Sequence, residues 1–143
     1  MSAEEAVQLV KDGDRVYIHE AAMAPVELLD ALANRARAGD ITGIETVSMH
    51  TEGPAPHVAP DIADRVRHLA LFAGANVRQA LAEGRADYIP VFLSDVPTFI
   101  RSGAIRIDVA LIQVSPPDRH GYCRLGTPIA CPRSAVDTAP IVI

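Results

Sequence analysis

Apolar residues in this chain fall in short runs separated by longer stretches with helical spacing. Val109-Ala-Leu-Ile112 carries no polar alternation. A strand buried on both faces reads this way, and parallel sheets bury both faces. Arg15–Ile18, Ile44–Met49 and His68–Phe72 are predicted as further strands. Tyr88–Leu93 is predicted as an edge or distorted strand, because Pro90 takes one donor from any ladder. Ile141-Val-Ile143 reads as a last buried strand. A chain that stops inside its most apolar pattern is expected to be part of a longer protein or half of a two-subunit one.

The helices come between these runs. Ser2-Ala-Glu-Glu5 fits a capping box that opens a short helix, closed by Gly13. Val26–Ala38 places Leu28, Leu29, Leu32 and Ala36 on one side; Pro25 suits its first position and Gly39 its end. A short helix is expected over Ala59–Arg67. Asn76 is expected to cap a helix over Val77–Glu83, ended by Gly84. Ser94 is expected to cap Asp95–Ser102. After Gly126, a helix starting at Pro128 is expected to be kinked or broken at Pro132. Strand and helix therefore alternate. The fold class is α/β: a mostly parallel sheet with helices on both faces, in a single domain over residues 1–143.

Composition narrows the function classes. The net charge is −5 and no basic block exists, so nucleic acid is not an expected partner. No apolar run approaches the roughly 18 residues of a membrane span. The first residues show no basic n-region or apolar h-region, so no secretory leader is expected; Cys123 and Cys131 are not spaced as a CxxC pair, and a cytoplasmic protein with free thiols is expected. Cys123 reads as a buried, inert thiol. His50, His57 and His120 lack zinc spacing, and no metal site is expected.

If the strands are parallel, their carboxyl ends share a rim where ligands bind. His19–Ala24, Thr51–Pro56, Ala73–Asn76, Ser94–Pro97 and Ser115–Cys123 would gather there. Ala21, Ala22 and Gly74 are small enough to admit a ligand to the backbone. Helix starts at Pro25 and Asn76, with Arg78, Arg119 and Arg124, suit an elongated anion. Glu20 and Glu52 are the rim carboxylates, and both read as solvated or structural.

Four stretches resemble a known family: Asp12–Pro25 (DGDRVYIHEAAMAP), His50–Pro56 (HTEGPAP), Leu71–Pro97 and Val114–Gly126 (VSPPDRHGYCRLG). The chain is similar to the N-terminal domain of the acetyl-CoA hydrolase/transferase family, in particular to 4-hydroxybutyrate CoA-transferases. That resemblance implies a CoA-transferase-like fold and transfer of CoA between an acyl-CoA and a short-chain carboxylate. Family members use a glutamate of a second, C-terminal domain, through an anhydride and a glutamyl-CoA thioester. No stretch here matches that glutamate's motif, so no catalytic residue is expected in this chain.

By the same resemblance, His19, Glu20, Ala21, Ala22, Asn76, Arg78, Tyr88, Pro90, Pro116, Asp118, His120, Gly121 and Tyr122 are expected to line the substrate and CoA pocket. Coenzyme A is expected as substrate, with no permanently bound cofactor. A C-terminal domain or partner subunit and a homo-oligomer are the expected partners. Glu20, Pro128 and Pro132 depart from the family's usual pattern. An acyl-CoA hydrolase and a non-catalytic ligand-binding domain are the alternatives.

Overall fold

The computed structural model describes residues 1–143. Six strands form one sheet: β1 (Arg15–Ile18), β2 (Ile44–Ser48), β3 (Val66–Ala70), β4 (Ala86–Tyr88), β5 (Val109–Leu111) and β6 (Ile141–Val142). Their order across the sheet is β4-β3-β2-β1-β5-β6, and every pairing is parallel. The chain moves outward from β1 to β4, then returns to add β5 and β6 on β1's other side. The direction of winding thus reverses between β1 and β5, which opens a crevice beyond their carboxyl ends.

Two apolar layers enclose the sheet. Val16, Ile18, Ile44, Val66, Val109 and Leu111 face α1 (Ala3–Ala6) and α2 (Val26–Ala38). Tyr17, Val47, Leu69 and Ala110 face α4 (Val96–Arg101) and α5 (Pro132–Thr138). Neighbouring residues of one strand enter opposite layers, as the pleat requires. Both faces being buried explains the unbroken apolar runs.

The capping box forms as its sequence dictates. Ser2 Oγ accepts from the Glu5 N–H, and the Glu5 carboxylate accepts from the Ser2 N–H at 2.8 Å. The last turn of this segment, Val7–Leu9, tightens to a 3-10 helix. Arg35 of α2 donates to the Val7 and Val10 carbonyls and fastens the two helices together. Gly39, at φ 83°, ends α2: its N–H reaches the Ala36 carbonyl, and the Asp40 N–H reaches Arg35.

Several local expectations are corrected. Ala59–Arg67 is not a helix. Pro56–Val58 and Pro60–Ile62 are single 3-10 turns, and Val66 already belongs to β3, opposite Ile44. A proline opens each turn, and the extended Ala59 between them prevents one continuous helix. Strand β4 ends at Tyr88; Pro90 cannot donate, and the chain runs on without a ladder. As expected, β4 lies at a sheet edge. Asn76 does not cap α3 (Arg78–Ala82), because its side chain bonds elsewhere. Ser94 bonds Asp95 Oδ1 rather than capping α4. Pro132 starts α5 instead of breaking a helix begun at Pro128. No helix is long and apolar enough to cross a membrane.

Candidate functional site

The turns beyond β1, β2 and β3 are laced together. Ala21 takes a φ of 52° and pairs with Thr51 in an isolated parallel bridge. Its N–H donates to the His50 carbonyl at 2.8 Å, and its carbonyl accepts from the Glu52 N–H at 3.3 Å. From the turn beyond β3, Asn76 Nδ2 donates to Thr51 Oγ1 at 3.0 Å and to the Gly53 carbonyl at 3.1 Å. Gly74 leaves room for this: a Cβ there would sit 3.4 Å from both Asn76 Oδ1 and His50 Cβ.

The long segment from Gln113 to Cys131 folds back over the turn beyond β1. Three contacts hold it to the β1 turn. His19 Nε2 lies 3.3 Å from the Pro128 carbonyl. The Cys131 N–H donates to Glu20 Oε1 at 3.4 Å. Gly126 faces Met23 so closely that a Cβ would meet its Sδ at 2.8 Å. The tip of the segment is a finger. The Ser115 N–H donates to the Arg124 carbonyl at 3.0 Å, and Asp118 Oδ1 accepts from the His120 and Tyr122 N–H groups at 2.8 and 3.0 Å.

Between these elements lies a hollow of about 590 Å³, lined by Glu20, Met49, His50, Phe72, Leu93 and Thr127–Ala130. A polar neighbour of about 390 Å³ includes Thr51, Glu52, Gly53, Gly74, Asn76 and Arg78. His50 and Phe72 line both; their rings meet edge-on with centroids 5.8 Å apart. Tyr88, Pro90, Val91 and Phe92 line a third hollow.

Glu20 dominates the electrostatics of the larger hollow. It is 2% exposed. Besides Cys131, its carboxyl touches the Tyr17 hydroxyl, at 3.4 Å. Burial, followed by the charge of Glu20, pushes the Tyr17 phenol well above its ordinary range. The same two causes push the Cys131 thiol up to about 12. Both groups therefore stay protonated near neutral pH, as donors facing an acceptor.

The expected site residues thus separate into groups. Glu20 lines the large hollow; Asn76 and Arg78 line its polar neighbour; Tyr88 and Pro90 line the third. His19 is buried beneath the first, Ala21 forms the bridge, and Ala22 is exposed. Pro116, Asp118, His120, Gly121 and Tyr122 stand on the exposed finger and line none of the three. Cys123, read as buried, is exposed there; Cys131 is the buried thiol. Glu20 is not solvated, whereas Glu52 is. The sequence reading missed Met49, His50, Phe72, Leu93 and Thr127–Ala130 as lining. Met49 and Phe72 close predicted strands, and that position was the available signal.

A model of the acetyl-CoA hydrolase/transferase N-terminal domain matches residues 1–143. The chain belongs to that family. It is 38% identical over 142 residues to a succinyl-CoA:acetate/propanoyl-CoA:succinate CoA transferase of Fasciola hepatica, covering 99% of this chain and 29% of the relative. To a 4-hydroxybutyrate coenzyme A transferase of Clostridium kluyveri it is 36% identical, over 100% of this chain and 33% of the relative. Among solved structures, a 4-hydroxybutyrate CoA-transferase from Porphyromonas gingivalis superposes with a TM-score of 0.79 at 29% identity, covering 99% of this chain and 31% of that one. The all-parallel sheet is accordingly of the CoA-transferase-like α/β type. The chain spans about a third of the length of these relatives.

Proposed function

We propose that this chain is the pocket half of a CoA-transferase that exchanges CoA between an acyl-CoA and a short-chain carboxylate. The observation that supports it best is the hollow of about 590 Å³ beyond the carboxyl ends of β1, β2 and β3, in a chain whose curated relatives are CoA transferases. A mostly apolar pocket with a few polar groups suits a small acyl chain. The adjoining polar hollow, with Arg78 and Asn76, suits the polar, anionic body of CoA. The exposed finger, Pro116–Tyr122, would face the C-terminal part.

In this reading a glutamate of the C-terminal part attacks the thioester carbonyl and expels CoA thiolate, leaving an acyl-glutamyl anhydride. The thiolate then attacks the glutamyl carbonyl and releases the donor acid, giving glutamyl-CoA. The acceptor carboxylate reverses both steps. Splitting one exchange into smaller ones is the advantage of covalent catalysis. This chain contributes binding and exclusion of water, not the nucleophile.

The test is an assay of the intact polypeptide that carries this chain, given acetyl-CoA and a four-carbon acid. Formation of the new acyl-CoA, followed chromatographically, is expected; CoA release without a new thioester would instead indicate hydrolysis. The 143-residue chain alone is expected to be inactive, and turnover by it would overturn the assignment of the nucleophile elsewhere.

A further inference from the structure

The larger hollow is mostly apolar, with Glu20, His50 and Thr127 as its polar lining. Met49, Phe72, Leu93, Pro128 and Ile129 offer hydrocarbon, and the one lining residue with a carboxyl group is Glu20. That group is nine-tenths buried and more, yet no Lys, Arg or His pairs with it. Its contacts with the Tyr17 hydroxyl and the Cys131 N–H are both 3.4 Å long, and the Cys131 thiol also faces it. Good hydrogen bonds of these kinds run about 2.7–3.2 Å. A carboxylate accepts at roughly four lone-pair positions, so Glu20 retains unused acceptor capacity. His50, the other ionisable lining residue, turns its Nε2 toward Glu52 Oε1, 4.0 Å away.

Resting on the CoA-transferase reading, we infer that Glu20 sets the acid specificity: it selects acids bearing a hydrogen-bond donor at the far carbon and rejects those ending in a second carboxylate. A distal hydroxyl gives the under-used acceptor a short partner. A methyl group satisfies the apolar wall but leaves Glu20 as it was. A second carboxylate brings like charge into a mostly apolar hollow that no Lys or Arg lines.

Three acids of four carbons isolate this contact, since butyrate, 4-hydroxybutyrate and succinate differ only at the far end. They are compared as CoA acceptors in the intact enzyme, by competition for one acyl-CoA donor. The expected order of kcat/KM is 4-hydroxybutyrate, then butyrate, then succinate, with the first exceeding the last by about tenfold or more. Glu20→Gln removes the charge and adds a donor, so that ratio is expected to fall to within about threefold. A merely structural role would lower all three acids together and leave the ratio unchanged. Succinate equal to or better than 4-hydroxybutyrate in the unaltered enzyme would overturn the inference even if the variant failed to fold. So would an unchanged ratio in a folded Glu20→Gln enzyme. Transfer to none of the acids is a different failure: it would remove the transferase reading itself, and this inference with it.

Discussion

Ala21 and Thr51 pair across the ends of β1 and β2, beyond the last regular ladder bonds. The bridge holds Ala21 at a φ of 52°, the one non-glycine residue with positive φ in the chain. An alanine there pays for its Cβ, and a β-branched residue is disfavoured further. Ala21→Gly is expected to be neutral or to stabilise by up to about 1 kcal/mol. Ala21→Val is expected to destabilise by about 1–2 kcal/mol. Urea unfolding of the three proteins measures both; a valine variant as stable as the parent would mean that the strained turn relaxes freely.

Asn76 spends its side-chain amide on the Thr51–Gly53 turn rather than on its own helix. Asn76→Ala deletes two donors that pin one rim turn to another. A loss of about 1–2 kcal/mol is expected. The damage should be local: hydrogen exchange at Thr51–Gly53 should quicken while β1 and β2 stay protected. Uniformly faster exchange across the sheet would contradict this.

These two positions also show what local sequence could and could not convey. Ser2 and Glu5 form their capping box because both partners lie within one turn. Gly39 ends α2 for an equally local reason, the left-handed φ it adopts. Ala59, Ile62, Ala63 and Val66 carry helical spacing, but two prolines and the pairing of Val66 with Ile44 override it. Pro128 and Pro132 are both plausible helix starts. The choice between them is made by contacts of Pro128 and Cys131 with His19 and Glu20, more than a hundred residues earlier. The burial of Glu20 has the same distant origin, so nothing beside it in the sequence announces it.

Gly126 is needed twice over, for its φ of 80° and for the close approach of Met23. Gly126→Ala meets Met23 Sδ, Cε and Cγ at 2.8–3.0 Å. A cost of about 1–3 kcal/mol is expected, with the covering segment displaced from the β1 turn. Met23→Ala in the same chain should recover the steric part and leave the backbone part. A double-mutant cycle therefore should show a coupling of about 0.5–2 kcal/mol. Strict additivity would place the whole cost in the backbone.

Beneath α2, His57 and His68 stack edge-on with ring centroids 4.8 Å apart, both buried. His68 Nδ1 has Thr46 Oγ1 at 2.9 Å, while neither nitrogen of His57 has a partner. Burial lowers both from the usual histidine range, His68 to about 4 and His57 well below its ordinary value, with His68 adding to the effect. The unfolded chain takes up these protons near pH 6.5, but the folded chain resists until much lower pH. The unfolded state then binds more protons, so stability rises with pH between these values. It is complete above about pH 6.5 and is lost as pH falls toward 4. The His68 shift alone corresponds to about 3 kcal/mol, and each histidine contributes a slope of at most about 1.4 kcal/mol per pH unit. Denaturant unfolding at pH 7.5, 6 and 5 measures this. His57→Leu discards no hydrogen bond and removes one titrating group, so its stability should fall less steeply over the same range. A profile as steep as the parent's would mean that His57 is not the group taking up the proton on unfolding.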